Sequence, residues 1–264
     1  MAFSDKLFLL SVLLLSVASI SHGADLITKE CGNTSATNEA LQANINSIIL
    51  DLVTKTTSTG FANSTYGSAN DTVYGTAECR GDISGQDCSA CIIAAGLEIR
   101  TSCTNTTESR IWYQQCSLRY STTNFIGQMD TNLLGVWAST NKMADPQAFK
   151  KVLKELFIVL GLAASSGESR KFGWGEIESN VVNNNKTIII YGMAQCTSDL
   201  QGPDCLKGLD AAYGVLQSSC GDLRGCYVMF KSYAIRYQDS PFLFLNAAAP
   251  TPAATTRNIT YANT

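Results

Sequence analysis

Ten cysteines and one histidine are the residues of this 264-residue chain with the strongest chemistry to offer. The histidine, His22, lies in a stretch that reads as a targeting segment. Lys6 and the amino terminus give a positive start, Leu7 to Val17 is an apolar run broken by two serines, and Ser21-His22-Gly23 sets small residues before a cut at Ala24. The run is shorter than the roughly 20 apolar residues that span a bilayer. Without residues 1–23 the chain has no imidazole, which excludes a Ser-His-Asp triad, a Cys-His pair and a His-ligated zinc. A glycosidase's two carboxylates stay open on this count, but no Asp/Glu pair stands apart from the surface charges. The sequence thus predicts a protein that is not an enzyme and needs no cofactor or metal.

A net charge of −3 gives no electrostatic footprint for nucleic acid. No later stretch is apolar enough to cross a membrane, so the mature chain is expected outside the cell without membrane insertion. In an oxidising compartment, disulfides are the default use of cysteine.

The cysteine spacing exposes a duplication. Tyr74-Gly75-Thr76-Ala77-Glu78-Cys79 recurs, 117 residues on, as Tyr191-Gly192-Met193-Ala194-Gln195-Cys196. The same offset joins Asp82 to Asp199, Cys88 to Cys205, Cys103 to Cys220 and Arg119-Tyr120 to Arg236-Tyr237. Upstream, the helical pattern Leu41, Ile45, Ile48, Ile49, Leu52 matches Phe149, Leu153, Leu156, Phe157, Leu160 at an offset of 108, so the loop after this helix differs by nine residues between the copies.

The second copy works as a natural double mutant of the first. Gly208 stands for Cys91 and Tyr233 for Cys116, so both partners of a Cys91–Cys116 bond are lost together. Cys79–Cys88 and Cys196–Cys205 pair locally, Cys31 is left with Cys103, and Cys220 with Cys226. Cys88-x-x-Cys91 also resembles half a thiolate zinc site or a redox pair, but Gly208 breaks it in the second copy and the compartment favours structural bonds.

Each copy reads as an amphipathic helix, a β segment such as Thr187–Tyr191, a second helix, and two strands near Ile111–Tyr120 or Tyr227–Tyr237. Asp145-Pro146 supplies a cap and a first-turn proline. Helices packed on antiparallel strands make an α+β module. The expected boundaries are 24–128 and 145–245 for the modules, 129–144 for a linker and 246–264 for a flexible tail. Sequons at Asn33, Asn63, Asn70, Asn105, Asn185 and Asn258 are glycan sites on surface loops if the chain is secreted. Trp112, Trp137 and Trp174 suit either a sugar-stacking platform or core and interdomain packing.

The run Cys79-x8-Cys88-x2-Cys91, then Cys103 and Cys116 followed by Ser-Leu-Arg-Tyr, resembles the plant ginkbilobin-like domain, also called the stress-antifungal or salt-stress-response domain. Two copies behind a signal peptide resemble the plant cysteine-rich repeat secretory proteins. The resemblance implies two tandem modules, each with two helices on a five-stranded antiparallel sheet. It also implies an apoplastic stress or defence protein, antifungal in some members, that binds a glycan or a cell-surface protein; the alternative is a receptor-type module working with a membrane partner and no sugar. The family's mannose-binding trio falls on Gly32, Arg110 and Ser121, where the arginine alone matches, and the last two positions of the second copy are Tyr227 and Gln238. Without a ligand, Arg110 reads as a solvated strand residue.

Overall fold

The computed structural model describes residues 25–83, 85–166, 170–183 and 186–244. The targeting segment with His22, the sequons at Asn185 and Asn258, and the tail from 246 lie outside the described residues.

Two modules of one design follow each other. The first runs β1 (Leu26–Cys31), α1 (Glu39–Thr59), β2 (Phe61–Tyr66), β3 (Val73–Cys79), α2 (Gly85–Ser102), β4 (Glu108–Tyr113) and β5 (Cys116–Ser121). The second runs β6 (Leu133–Ala138), α3 (Pro146–Ser165), β7 (Phe172–Asn183), β8 (Lys186–Cys196), α4 (Gly202–Cys220), β9 (Gly225–Phe230) and β10 (Tyr233–Gln238). Each sheet has five antiparallel strands, in the orders β1-β4-β5-β3-β2 and β6-β9-β10-β8-β7.

One stretch differs from expectation. Leu133–Ala138 falls inside the supposed linker 129–144 yet forms β6, which pairs with β9 from Leu133↔Phe230 to Ala138↔Cys226. As an edge strand it shows mixed exposure rather than a clean alternation, so its sequence carries little strand signal. The nine extra residues of the second copy are divided: some precede β7, the rest lengthen the β7–β8 hairpin beyond β2–β3.

The helices start where their caps dictate. The Asn38 side chain accepts from the Ala40 amide, and the Asp145 carboxylate from Gln147 and Ala148. Gly60, at φ 76°, ends α1 in the left-handed conformation that glycine tolerates. The buried stripe Leu41, Ile45, Ile48, Ile49, Leu52 of α1 corresponds to Phe149, Leu153, Leu156, Phe157, Leu160 of α3.

The repeated Tyr-Gly-x-Ala-x-Cys lead-in has a packing cause. Alternation on β3 turns Gly75, Ala77 and Cys79 toward the helices. A β-carbon on Gly75 would come within 2.7 Å of Leu52 Cδ1, and one on Gly192 within 2.8 Å of Leu156 Cδ2. Small residues therefore let the first helix of each module sit directly on its sheet. Each module buries its own apolar core, and a third cluster of Trp112, Met229 and Ala234, with Ile27, Leu134 and Tyr227 against it, lies between them.

Five disulfides use all ten cysteines: Cys31–Cys103, Cys79–Cys88, Cys91–Cys116, Cys196–Cys205 and Cys220–Cys226. These are the pairs that comparing the copies gives.

Candidate functional site

The modules meet through contacts that repeat at the offset of 117, so the interface has a pseudo-two-fold axis. The Glu78 carboxylate accepts from the Ser198 amide (3.0 Å) and hydroxyl (3.1 Å), while its counterpart Gln195 accepts through Oε1 from the Gly81 amide (3.2 Å). Asp199 takes the Gly127 amide at 2.7 Å, and Asp82 the Phe244 amide at 2.9 Å. The guanidinium of Arg119 lies 3.8 Å from the Phe125 ring centroid, as that of Arg236 lies 4.3 Å from Phe242.

The same symmetry gives each module an equivalent groove on its open sheet face. Strand register sets a cross-strand row at each. In the first module the row is Glu30, Arg110, Arg119, Thr76, Asn63; in the second it is Trp137, Tyr227, Arg236, Met193, Trp174. One groove is ionic, the other aromatic.

The ionic groove, about 580 Å³, is lined by Lys29, Glu30, Glu108, Arg119, Asp130 and Lys231 among others. Lys231 reaches across from the second module to pair with Glu30 at 2.5 Å. Of the sugar trio, Gly32 and Arg110 line this groove while Ser121 is buried outside it, so the three positions do not converge. Gly32 is pressed onto Glu108: its amide donates to the Glu108 carbonyl at 2.9 Å, and a β-carbon would stand 2.7 Å from Glu108 Cγ. The Ser121 hydroxyl faces the Glu108 carboxylate at 3.4 Å.

Arg110 is not the solvated strand residue expected. It is 7% exposed, stacks 4.6 Å above Trp112, and donates from Nη2 to the Lys231 carbonyl of the other module. Its Nε and Nη1 have no hydrogen-bond partner among the described residues. Burial, followed by repulsion from Arg119, brings the guanidinium down to about 10. Docking of the second module covers this arginine, which no local sequence pattern foretells.

The aromatic groove, about 520 Å³, also borrows Leu26, Ile27 and Gln114 from the first module. Trp137 is 45% exposed and lies against Tyr227, ring centroids 5.6 Å apart. Arg236 sits between the Tyr227 ring (5.6 Å) and Phe242, and donates to Gln238 Oε1 at 2.7 and 3.2 Å. Gln238 passes a hydrogen bond on to Ser240 at 3.1 Å, and Arg224 pairs with Asp239. An apolar face beside fixed donors and acceptors suits a flat, hydroxylated ligand. The three tryptophans thus part company: Trp112 is interdomain packing, Trp137 an exposed platform, and Trp174 a half-buried β7 residue at the far end of the row. Tyr227 and Gln238 are the two positions at which the second copy departs from the trio.

No group of acidic, histidine or cysteine side chains among the described residues could hold a metal ion. The family model for "Salt stress response/antifungal" matches residues 29–123 and again 137–240. The chain belongs to this family. Within it, Cysteine-rich repeat secretory protein 55 of Arabidopsis thaliana is 36% identical over 88% of this chain and 89% of its own length. The Antimicrobial ginkbilobin-2-like protein of Castanea crenata is 35% identical over 76% and 80%. Among solved structures, the tandem DUF26 ectodomain of the Arabidopsis receptor-like protein PDLP5 aligns with a TM-score of 0.65 and 26% identity, covering 82% of this chain and 100% of that one. The PDLP8 ectodomain, at 24% identity and a TM-score of 0.68, shares the fold. With five disulfides, the chain is built for the extracellular side of a membrane.

Proposed function

We propose that this protein is a non-catalytic binding protein of the plant apoplast, acting in stress or defence, and that it takes a glycan in the aromatic groove of the second module. The observation that carries the reading is Trp137, a large ring left 45% exposed beside Tyr227 and flanked by Arg236 and Gln238. Stacking on one ring plus a few fixed hydrogen bonds is a common way for a protein to hold a sugar at modest affinity. The first module is a poor second site, because its groove is bridged by Lys231–Glu30 and its arginine is buried.

Four sequons support the same asymmetry. Asn33, Asn63, Asn70 and Asn105 are exposed on the first module, and Asn33 lines the ionic groove. Glycans there would shield that groove and leave the aromatic one open. Similarity to an antimicrobial relative supports a test for fungal growth inhibition.

The test is binding of the secreted chain to a panel of plant and fungal wall glycans, with Trp137→Ala and Arg110→Ala beside it. Binding lost in Trp137→Ala and kept in Arg110→Ala is the expected result; loss in Arg110→Ala alone would move the site to the first module. A second reading, a receptor-type module that engages a membrane protein, is favoured by full coverage of the PDLP5 ectodomain and by 30% identity to Cysteine-rich receptor-like protein kinase 27, of which this chain spans 33%. Absence of any glycan binding, together with capture of a defined receptor ectodomain, would select it.

A further inference from the structure

We infer that Glu78 is a proton-operated latch between the modules: neutral Glu78 holds them docked, and its ionisation loosens them. The inference is independent of what the grooves bind.

Its basis is the pseudo-symmetric pair. At one end of the interface the latch residue is an amide, Gln195, hydrogen-bonded to Gly81; at the other it is a carboxyl, Glu78, hydrogen-bonded to Ser198. The molecule therefore shows that an uncharged side chain satisfies this position. The carboxyl is enclosed, lining a small cavity between the modules together with Arg110, Trp112, Gln195 and Tyr233.

The charges that face Glu78 do not neutralise it. Arg110 on β4 attracts it, but spends its one hydrogen bond on the Lys231 carbonyl; Arg170, ahead of β7, donates to the carbonyls of Gly81 and Ile83. Asp199 repels it from across the interface. Arg80 is held in a fork by Asp82, and Lys231 by Glu30. On its own sheet its register neighbours, Ser117 and Phe61, carry no charge.

Burial, the largest influence, raises the Glu78 carboxyl from 4.5 to about 7 against the two Ser198 hydrogen bonds. The sign follows from linkage. A docked state that holds the proton more tightly than the open state is favoured below 4.5, loses that advantage as pH rises from 4.5 to about 7, and is level above. Across that window the opening equilibrium is expected to grow on the order of 100-fold.

The experiment is amide hydrogen exchange on the full secreted chain between pH 4.5 and 8.5, corrected for intrinsic exchange, following Gly81 and Ser198. Wild type should lose protection at both amides on the order of 100-fold beyond the correction, and Glu78→Gln should stay flat. Gln195→Glu, which places a second carboxyl in the symmetric position, should steepen the loss and serves if Glu78→Gln does not fold. Equal pH dependence in wild type and Glu78→Gln, or no added dependence in Gln195→Glu, would overturn the latch.

Discussion

The two modules share a sheet order and a helix seating, yet close the same gaps by different means. Where Cys91–Cys116 ties α2 to β5 in the first module, the ring of Tyr233 lies on Gly208 in the second, and a β-carbon on that glycine would stand 2.6 Å from Tyr233 Cδ1. Tyr233 in turn stacks on Phe230 at 4.7 Å. A covalent bond has been exchanged for an aromatic ring that fills the same space.

The other exchange moves a bond by one strand. Cys31 on edge strand β1 faces Ser109 in register, and bonds to Cys103 at the end of α2. In the second module Ala138 takes the edge position and the residue facing it is Cys226, bonded to Cys220. The helix end stays tethered to the sheet, but to β9 instead of the edge. Edge strand β6 is left to hydrogen bonds and packing. Disulfides and packing thus substitute for one another between two modules that keep one fold.

Breaking the longest covalent link should have the largest effect. The Cys31→Ser/Cys103→Ser pair opens a loop with a sequence separation of 72 and should cost about 4 kcal/mol in denaturant unfolding. The Cys220→Ser/Cys226→Ser pair, with a separation of 6, should cost about 2 kcal/mol. Equal losses would deny the first module its tighter stapling.

The comparison can be sharpened by transplanting the missing bond. Gly208→Cys/Tyr233→Cys should form a disulfide, seen as the absence of titratable thiol, and that bond should add about 3 kcal/mol relative to its reduced form. Free thiols in the folded variant would show that the two frames are not equivalent. Next in size, Arg110→Ala should destabilise docking by about 2 kcal/mol by removing packing against Trp112, with no loss of ligand. Smallest for stability, Trp137→Ala should change unfolding by under about 1 kcal/mol, as an exposed side chain, while weakening glycan binding about tenfold or more.

Duplication made much of the fold legible. With two copies in one chain, shared residues such as Gly75 and Gly192 mark packing constraints, and paired losses such as Gly208 with Tyr233 mark bonds. Cap chemistry at Asp145-Pro146 is local, and so visible. What stayed hidden depends on how the modules meet. Arg110 looks like any strand arginine until Lys231 and Trp112 enclose it, and the Trp137–Tyr227–Arg236 row arises from strand register in a sheet whose edge, β6, lacks a strong pattern. Glu78 belongs to the most recognisable motif in the chain, yet its burial comes from residues 120 positions away.

The most direct test of the aromatic groove as the ligand surface is intrinsic fluorescence of a Trp112→Phe/Trp174→Phe variant, which leaves Trp137 as the reporter. Saturable quenching or a blue shift on titration with wall-derived oligosaccharides is the predicted result. A glycan that binds the variant by calorimetry without moving the Trp137 signal would contradict the account.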